Sequence, residues 1–114
     1  MKVAFHPLVI DFLEQLTFAL YENGYFGFYD SACEYVDRMV DDISSNIHIK
    51  TYKKAPPYFN KYGKNMFYIS YQPNNQTTWY IFFSVNDNRY LIRYISLIPA
   101  CRLLDGLTWQ AVVF

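Results

Sequence analysis

Basic and aromatic side chains interleave in one polar stretch of the sequence, between His48 and Asn65. Ammonium groups contact phosphates and aromatic rings stack on bases, so this mixture is typical of a nucleic-acid surface. It also suits a loop that needs lysines for solubility, and the segment alone does not decide between the two. The stretch contains Lys50, Tyr52, Lys53, Lys54, Tyr58, Phe59, Lys61, Tyr62 and Lys64.

Two arginines, Arg89 and Arg93, lie four residues apart in a predicted strand, and Tyr94 follows the second. Regular two-residue alternation would place both arginines on one face together with Leu91 and Ile95. Two guanidinium groups on one face of a small sheet form either a solvated edge or the floor of an anion site. For Arg93 the competing interpretation is a surface ion pair with a helix carboxylate.

These residue types match the requirements of RNA cleavage without a metal ion. The reaction needs a group that takes the 2′-hydroxyl proton, cations that stabilise the phosphorane-like transition state, and an acid for the leaving 5′-oxygen. Lysine, arginine and tyrosine fill those roles when they are clustered. The available candidates are Lys53, Lys54, Lys61, Lys64, Arg93 and Tyr94.

Other kinds of site lack support in the sequence. Neither His6 nor His48 has an acidic residue or a cysteine at ligand spacing, so no metal site is predicted. The four glycines form no phosphate-binding fingerprint, and no serine or cysteine is paired with a base. The sequence therefore predicts no metal and no cofactor.

Charge is distributed unevenly along the chain, which is a single domain of 114 residues. The chain is neutral overall, but residues 1–48 carry a net charge of −6 and residues 49–114 a net charge of +6. A basic half of this kind favours a polyanionic partner, and solvated faces that neutralise each other are the alternative. Aromatic residues make up 21% of the chain, so we expect many rings to line a contact surface.

The two cysteines and the N-terminal region predict the compartment. Cys33 and Cys101 are too few and too far apart for a disulfide framework, so we interpret both as thiols in a reducing compartment. The apolar stretch of residues 5–20 is interrupted by Asp11 and Glu14, which argues against a signal peptide and a membrane span. We expect a cytoplasmic protein that does not engage a membrane.

Two amphipathic helices are predicted in the acidic half. Pro7 suits the first turn of the first helix, and Asn23-Gly24 suits its end. Ser31 and Glu34 form a capping-box pattern that predicts the start of the second. The apolar stripes are Leu8, Val9, Phe12, Leu13, Leu16, Ala19 and Leu20, then Val36, Met39, Val40, Ile43 and Ile47.

Strands are predicted at the start of the chain and throughout the basic half. Asn86-Asp87-Asn88 supplies turn residues between two β-rich runs. The polar stretch between His48 and Asn65, here called the connector, contains Pro56-Pro57, which argues against a regular element there. The sheet has two apolar faces, so we expect helices on one side and a tail, partner or subunit on the other. The predicted strands are Lys2–Phe5, Met66–Tyr71, Trp79–Val85 and Tyr90–Ile98.

This order predicts an α+β fold, in which a short N-terminal strand and an antiparallel helical hairpin pack on a three- to four-stranded antiparallel sheet. The order, together with Trp-Tyr-Ile-Phe-Phe and Arg-Tyr-Leu-Ile-Arg-Tyr-Ile within residues 77–98, resembles the RelE/ParE superfamily of type II toxin–antitoxin systems. The resemblance covers residues 1–98. Residues 99–114 form an apolar tail, either part of the same domain or an association segment.

The resemblance implies a cytoplasmic toxin neutralised by a cognate antitoxin protein. RelE-like members cut mRNA on the ribosome with basic residues and a tyrosine, whereas ParE-like members inhibit DNA gyrase without them. We favour mRNA cleavage, which would make the protein a metal-independent endoribonuclease. By position the catalytic residues would be Lys53, Lys54, Arg93 and Tyr94, and the RNA-binding residues Lys50, Tyr52, Lys61, Tyr62, Lys64 and Arg89.

An inactive protein with a toxin fold is the alternative from a different functional class. The neutral overall charge and the apolar tail of residues 99–114 differ from what the resemblance implies for a ribosome-dependent nuclease. In that case the aromatic sheet and the tail would serve only in binding or in homo-oligomer formation.

Overall fold

The computed structural model describes residues 2–75 and 77–97 and shows an α+β fold, as predicted. Two helices and a five-stranded sheet account for most of it. The predicted tail of residues 99–114 lies outside the described residues. The elements are β1 (Lys2–Phe5), α1 (Pro7–Glu22), α2 (Tyr29–Asn46), β2 (Lys53–Lys54), a 3₁₀ helix (Pro57–Lys61), β3 (Phe67–Tyr71), β4 (Trp79–Asn86) and β5 (Arg89–Ser96).

The sheet has the strand order β1-β5-β4-β3-β2. Strand β1 pairs with β5 in parallel, and the other neighbours are antiparallel. The expected three- to four-stranded antiparallel sheet is therefore wrong in strand number and in one pairing. The missed strand β2 has only two residues, too few to show an alternating pattern, and the parallel pairing joins distant parts of the chain.

Helix α1 begins and ends where the sequence predicts. The ring nitrogen Nδ1 of His6 accepts a hydrogen bond from the backbone N–H of Leu8 at 3.1 Å, and Pro7 occupies the first turn. At the other end Asn23 caps the helix and Gly24 adopts a φ of 77°, a left-handed conformation that favours glycine.

Helix α2 begins at Tyr29, two residues before Ser31. The predicted capping box of Ser31 and Glu34 is therefore wrong. Phe28 is the N-cap residue and makes no side-chain capping bond. The backbone N–H groups of Ser31 and Ala32 instead donate to the carbonyl oxygen of Phe28, so Ser31 lies inside the first turn. The predicted apolar stripe holds, since Val36, Met39, Ile43 and Ile47 are buried and Val40 is half-buried.

The helices cover one side of the sheet, here called the helix face. Its core combines the stripes of α1 and α2 with alternate strand residues, and Trp79 donates from Nε1 to the Tyr35 hydroxyl at 3.0 Å. Leu8 is the member of the predicted α1 stripe that does not join the core, because it lies in the first turn and is 69% exposed. The fully buried bulky strand residues of this face are Ile69, Trp79, Ile81, Phe83, Ile92 and Ile95.

The opposite side of the sheet, here called the tyrosine face, bears Tyr68, Tyr80, Phe82 and Tyr94. The 3₁₀ helix of the connector covers part of it, and the Phe59 ring stacks on Phe82 with centroids 4.3 Å apart. We expected Pro56-Pro57 to prevent a regular element there. That expectation is wrong, because a proline in the first turn of a 3₁₀ helix needs no N–H partner.

Candidate nucleic-acid interface

A β-bulge in β5 brings Arg93 and Tyr94 to the tyrosine face together. Phe82 pairs with Tyr94, and the next residue Phe83 pairs with Ile92, so Arg93 is an extra residue opposite the Phe82–Phe83 step. Ile92 and Ile95 consequently both lie in the helix-face core although they are three residues apart. An extra residue resets the alternation of a strand and re-aims its side chains.

The bulge corrects one prediction about the faces of β5. Arg93 shares the tyrosine face with Leu91 and Arg89, as expected, because these residues line one groove together with Ser84 of β4. Ile95 does not share that face, because the bulge turns it into the helix-face core.

The guanidinium of Arg93 is half-buried and fixed in place. Its Nε donates to the Ser84 hydroxyl at 3.0 Å and its Nη1 donates to the Tyr62 carbonyl oxygen at 3.5 Å. A Cβ atom on Gly63 would lie 2.5 Å from Cδ of Arg93, so only a glycine allows the backbone to pass this closely. A guanidinium has five N–H groups, and these two bonds leave donors for an anion.

Ser84 and Gly63 hold Arg93, and neither is among the predicted site residues. Alternation along β4 from Phe82 predicts the face of Ser84, so that signal was present in the sequence. No pattern in the sequence signals the approach of Gly63 to Arg93, because it depends on how the connector folds over the sheet.

Tyr94 is sandwiched within an aromatic cluster. Its ring stacks on Tyr62 with centroids 4.1 Å apart and an interplanar angle of 7°, and Phe82 and Phe59 lie behind it. Burial, together with the neighbouring Tyr62, raises the pKa of Tyr94 to about 12. The phenol is protonated at neutral pH, as an ordinary tyrosine is, so it has a proton to donate.

Lys61 provides an exposed cation next to these rings. Its Nζ donates to the Tyr58 hydroxyl at 3.3 Å and lies 4.4 Å from the centroid of the Tyr58 ring and 5.2 Å from that of Tyr62. The hydrogen bond with Tyr58 raises the pKa of Lys61, so the ammonium form is favoured. Lys61 is thus suited to electrostatic stabilisation of a phosphate.

Strand β2 places Lys53 and Lys54 on opposite sides of the sheet. Lys53 pairs with Tyr68, which continues through Phe82 to Tyr94, so these four residues form one row across the tyrosine face. Three strand spacings place Lys53 about 14 Å from Tyr94. An extended strand of nucleic acid spans that distance, whereas a small ligand does not.

Lys54 lies on the helix face. Lys54 pairs with Phe67, whose side chain packs against the helix-face core, so Lys54 shares that side. The same edge holds Tyr52, whose ring centroid lies 4.9 Å from that of Phe67. The register therefore does not bring Lys54 and Tyr52 together with Arg93 and Tyr94.

Two further candidates lie near the two ends of the connector. The Nζ of Lys50 pairs with the Asp42 carboxylate at 2.9 Å and donates to the Ser70 carbonyl oxygen at 3.2 Å, so Lys50 is engaged within the fold. Lys64 is exposed in the turn between the 3₁₀ helix and β3.

The described residues form neither a metal cluster nor a membrane-spanning helix. Within residues 2–75 and 77–97 no three His, Cys, Asp or Glu side chains come close enough to hold a metal ion. No helix in this part of the chain is both long and apolar enough to cross a membrane.

No protein-family model, curated protein or solved structure matches this chain.

Proposed function

We propose that this chain is the toxin of a type II toxin–antitoxin system and cleaves mRNA in the cytoplasm, as a RelE-like member of the RelE/ParE superfamily. The observation that carries the proposal is the bulge in β5, which puts Arg93 and Tyr94 on one face beside Tyr62 and Lys61. A cation fixed by hydrogen bonds and a protonated phenol are two groups that metal-free RNA cleavage needs.

Each group has a role in the proposed reaction. The 2′-oxygen of the RNA attacks the adjacent phosphorus, and its proton passes to solvent. Arg93 and Lys61 stabilise the charge that develops on the phosphate oxygens. The bond from phosphorus to the 5′-oxygen breaks, and Tyr94 donates its phenolic proton to that leaving oxygen. The products are a 2′,3′-cyclic phosphate and a free 5′-hydroxyl.

Tyrosine rings supply base contacts in this proposal, and lysines supply backbone contacts. Tyr62 and Tyr58 lie on the connector over the tyrosine face, where a base can stack on them. Lys53, at the far end of the row that ends at Tyr94, contacts the RNA backbone about 14 Å from the scissile phosphate. The cognate antitoxin is proposed to block this face.

Expression in a bacterial host tests the proposal, with growth as the readout. We expect the wild-type chain to arrest growth and co-expression of the neighbouring gene to restore it. Arg93→Ala should relieve the arrest, because it removes the fixed cation. Lys53→Ala should relieve it more than Lys54→Ala, a matched control on the same strand and the opposite face.

The outcomes separate the alternative functions. Arrest that persists in Arg93→Ala and Tyr94→Phe would contradict cleavage at this site and favour a ParE-like gyrase inhibitor. Unimpaired growth with the wild-type chain would remove the toxin proposal and favour a binding protein that has this fold without its activity.

A further inference from the structure

A groove of about 650 Å³ lies on the tyrosine face between β1, β5 and the start of the β4–β5 turn. It lies on the opposite side of Arg93 from the lysine-rich connector, and the participation of Lys2 and Asn86 was not predicted from the sequence. The residues that give it chemical character are Lys2, Ser84, Asn86, Asp87, Arg89 and Arg93.

Two positive charges lie side by side on neighbouring strands of this groove. Lys2 pairs with Arg89 in the parallel β1–β5 register, and Arg89 pairs with Asn86 on its other side. Like charges directly opposite each other on neighbouring strands are destabilising. Asp87 is the acidic residue that lines the groove, and within the described residues no carboxylate lies at ion-pair distance from Lys2, Arg89 or Arg93. An anionic ligand would offset this repulsion.

The spacing of the cations suits a chain of phosphates. Arg89 and Arg93 are four residues apart on β5 with the bulge between Ile92 and Tyr94, which separates their backbones by about 10–13 Å. Each guanidinium can therefore contact a different phosphate of a polynucleotide. The amide of Asn86 and the guanidinium forks add donors of the type that nucleic-acid backbones accept.

The position of the groove indicates a single strand. Arg93 belongs both to the groove and to the aromatic cluster of Tyr62 and Tyr94, so a ligand in the groove continues onto those rings. Unpaired bases stack on such rings, whereas bases within a duplex do not.

We propose that this groove is a backbone-binding subsite for single-stranded RNA, with the strand running along β5 from Tyr94 towards the Asn86–Arg89 turn. The inference rests on the proposed function, since it concerns the same substrate, but it assigns new contacts to Lys2 and Asn86 and gives Arg89, already a predicted RNA-binding residue, a defined place in the path. The groove extends the RNA path beyond the scissile phosphate, to the side away from Lys53.

Fluorescence anisotropy with the full chain and a labelled single-stranded RNA tests the subsite. A 2′-O-methylated oligonucleotide is used, because it cannot be cut by 2′-hydroxyl attack. Affinity is measured over a salt series for wild type, Lys2→Gln, Arg89→Gln and the double variant. Arg38→Gln is the matched control, because it removes one exposed positive charge on α2, away from the groove.

The logarithm of the association constant falls linearly with the logarithm of the salt concentration. We expect Lys2→Gln and Arg89→Gln each to make this negative slope shallower by about 0.7, and the double variant by about 1.4. Arg38→Gln should leave the slope unchanged. Both groove residues are exposed, so circular dichroism should show an intact fold in each variant.

Three results would overturn the subsite, and they are distinguishable. RNA binding with the same slope in the groove variants and in wild type would remove the subsite while the proposed function stands. Equal affinity for duplex DNA of the same length would contradict the single-strand assignment. A wild-type chain that binds no free RNA would contradict the subsite, whereas the proposed cleavage on the ribosome would still be decided by the growth assay.

Discussion

Tyr94 differs from an exposed tyrosine because its ring is enclosed by Tyr62, Phe59 and Phe82. Water is displaced from the phenol, and the phenolate loses hydration that the rings do not replace. The pKa of Tyr94 is accordingly raised to about 12. The phenol therefore stays protonated well above neutral pH, and this has a measurable consequence for stability.

The free energy of unfolding should fall as the pH rises from about 10 to about 12. In this range the unfolded chain releases the Tyr94 proton at the ordinary tyrosine pKa, whereas the folded chain retains it until about pH 12. The unfolded state therefore binds fewer protons and gains stability as the pH rises. Tyr94→Phe should make the decline shallower, as measured by urea unfolding at successive pH values.

Tyr25→Phe is the control for this pH dependence, because Tyr25 is exposed near the end of α1. The decline should be shallower in Tyr94→Phe than in this control. An identical decline in wild type and Tyr94→Phe would show that Tyr94 titrates as it does in the unfolded chain.

Gly63 sets the position of the Arg93 guanidinium, so Gly63→Ala should displace it without removing its charge. The added methyl group would lie 2.5 Å from Cδ and 2.9 Å from Nε of Arg93, and the side chain must move. We expect a stability loss of about 1–3 kcal/mol from overpacking, with reduced RNA cleavage. Gly27→Ala introduces its methyl group into open space and should change neither quantity. Full activity of Gly63→Ala would contradict a fixed guanidinium.

At the scale of elements, the bulge in β5 decides the chemistry of the tyrosine face. Deleting Arg93 should leave a regular strand in which Phe82 still pairs with Tyr94 and Phe83 with Ile92. The deletion removes the two hydrogen bonds that Arg93 donates to Ser84 and Tyr62, each of which contributes about 1 kcal/mol to stability. We expect this variant to fold with a modestly lower melting temperature and no cleavage activity.

Deleting Ile92 is the matched control for the bulge. It would move Arg93 into the buried position opposite Phe83, where an unpaired charge is strongly destabilising. Thermal unfolding followed by circular dichroism compares the two deletions. A melting temperature of the Arg93 deletion as low as that of the Ile92 deletion would contradict the bulge.

The 3₁₀ helix of the connector is held to the sheet by Phe59. This ring is fully buried and stacks on Phe82, so Phe59→Ala should destabilise the protein by about 3–5 kcal/mol. Removal of the Phe59 ring should also expose Tyr94 to water and lower its pKa towards the ordinary tyrosine value. Denaturant unfolding and the absorbance of the tyrosinate measure the two effects. Tyr58→Ala, at an exposed position of the same helix, should shift stability by about 0.5 kcal/mol or less.

Local patterns in the sequence predicted the long elements but not the short ones. The apolar stripes and Pro7 predicted α1 and α2, and the turn residues before Arg89 predicted the β4–β5 hairpin, where Asp87 and Asn88 adopt positive φ angles. The pairing of β2 and the 3₁₀ helix could not be predicted, because neither is long enough to repeat a pattern. The bulge could not be predicted from the three-residue spacing of Ile92 and Ile95, because both faces of the sheet are apolar in sequence and regular alternation fits that spacing equally well.

At the scale of the whole molecule, the fold separates the charges of the chain. The helices carry most of the acidic residues and cover one face of the sheet, whereas Arg89, Arg93 and Lys53 belong to the other. A neutral chain thereby presents a local basic surface to a polyanion. The location of that surface could not be read from the sequence, because it depends on strand register and on the parallel pairing of β1 with β5.

Mapping of mRNA ends in a translating cell-free extract tests the central claim most directly, namely that Arg93 and Tyr94 cleave RNA together. With wild-type protein we predict new 5′-hydroxyl ends within the translated message. Loss of a general acid or of a fixed cation typically slows a reaction by about 10²–10³-fold, so Arg93→Ala and Tyr94→Phe should each reduce these ends to that extent. Cleavage by either variant at the wild-type rate, or no new ends with the wild-type protein, would contradict the account.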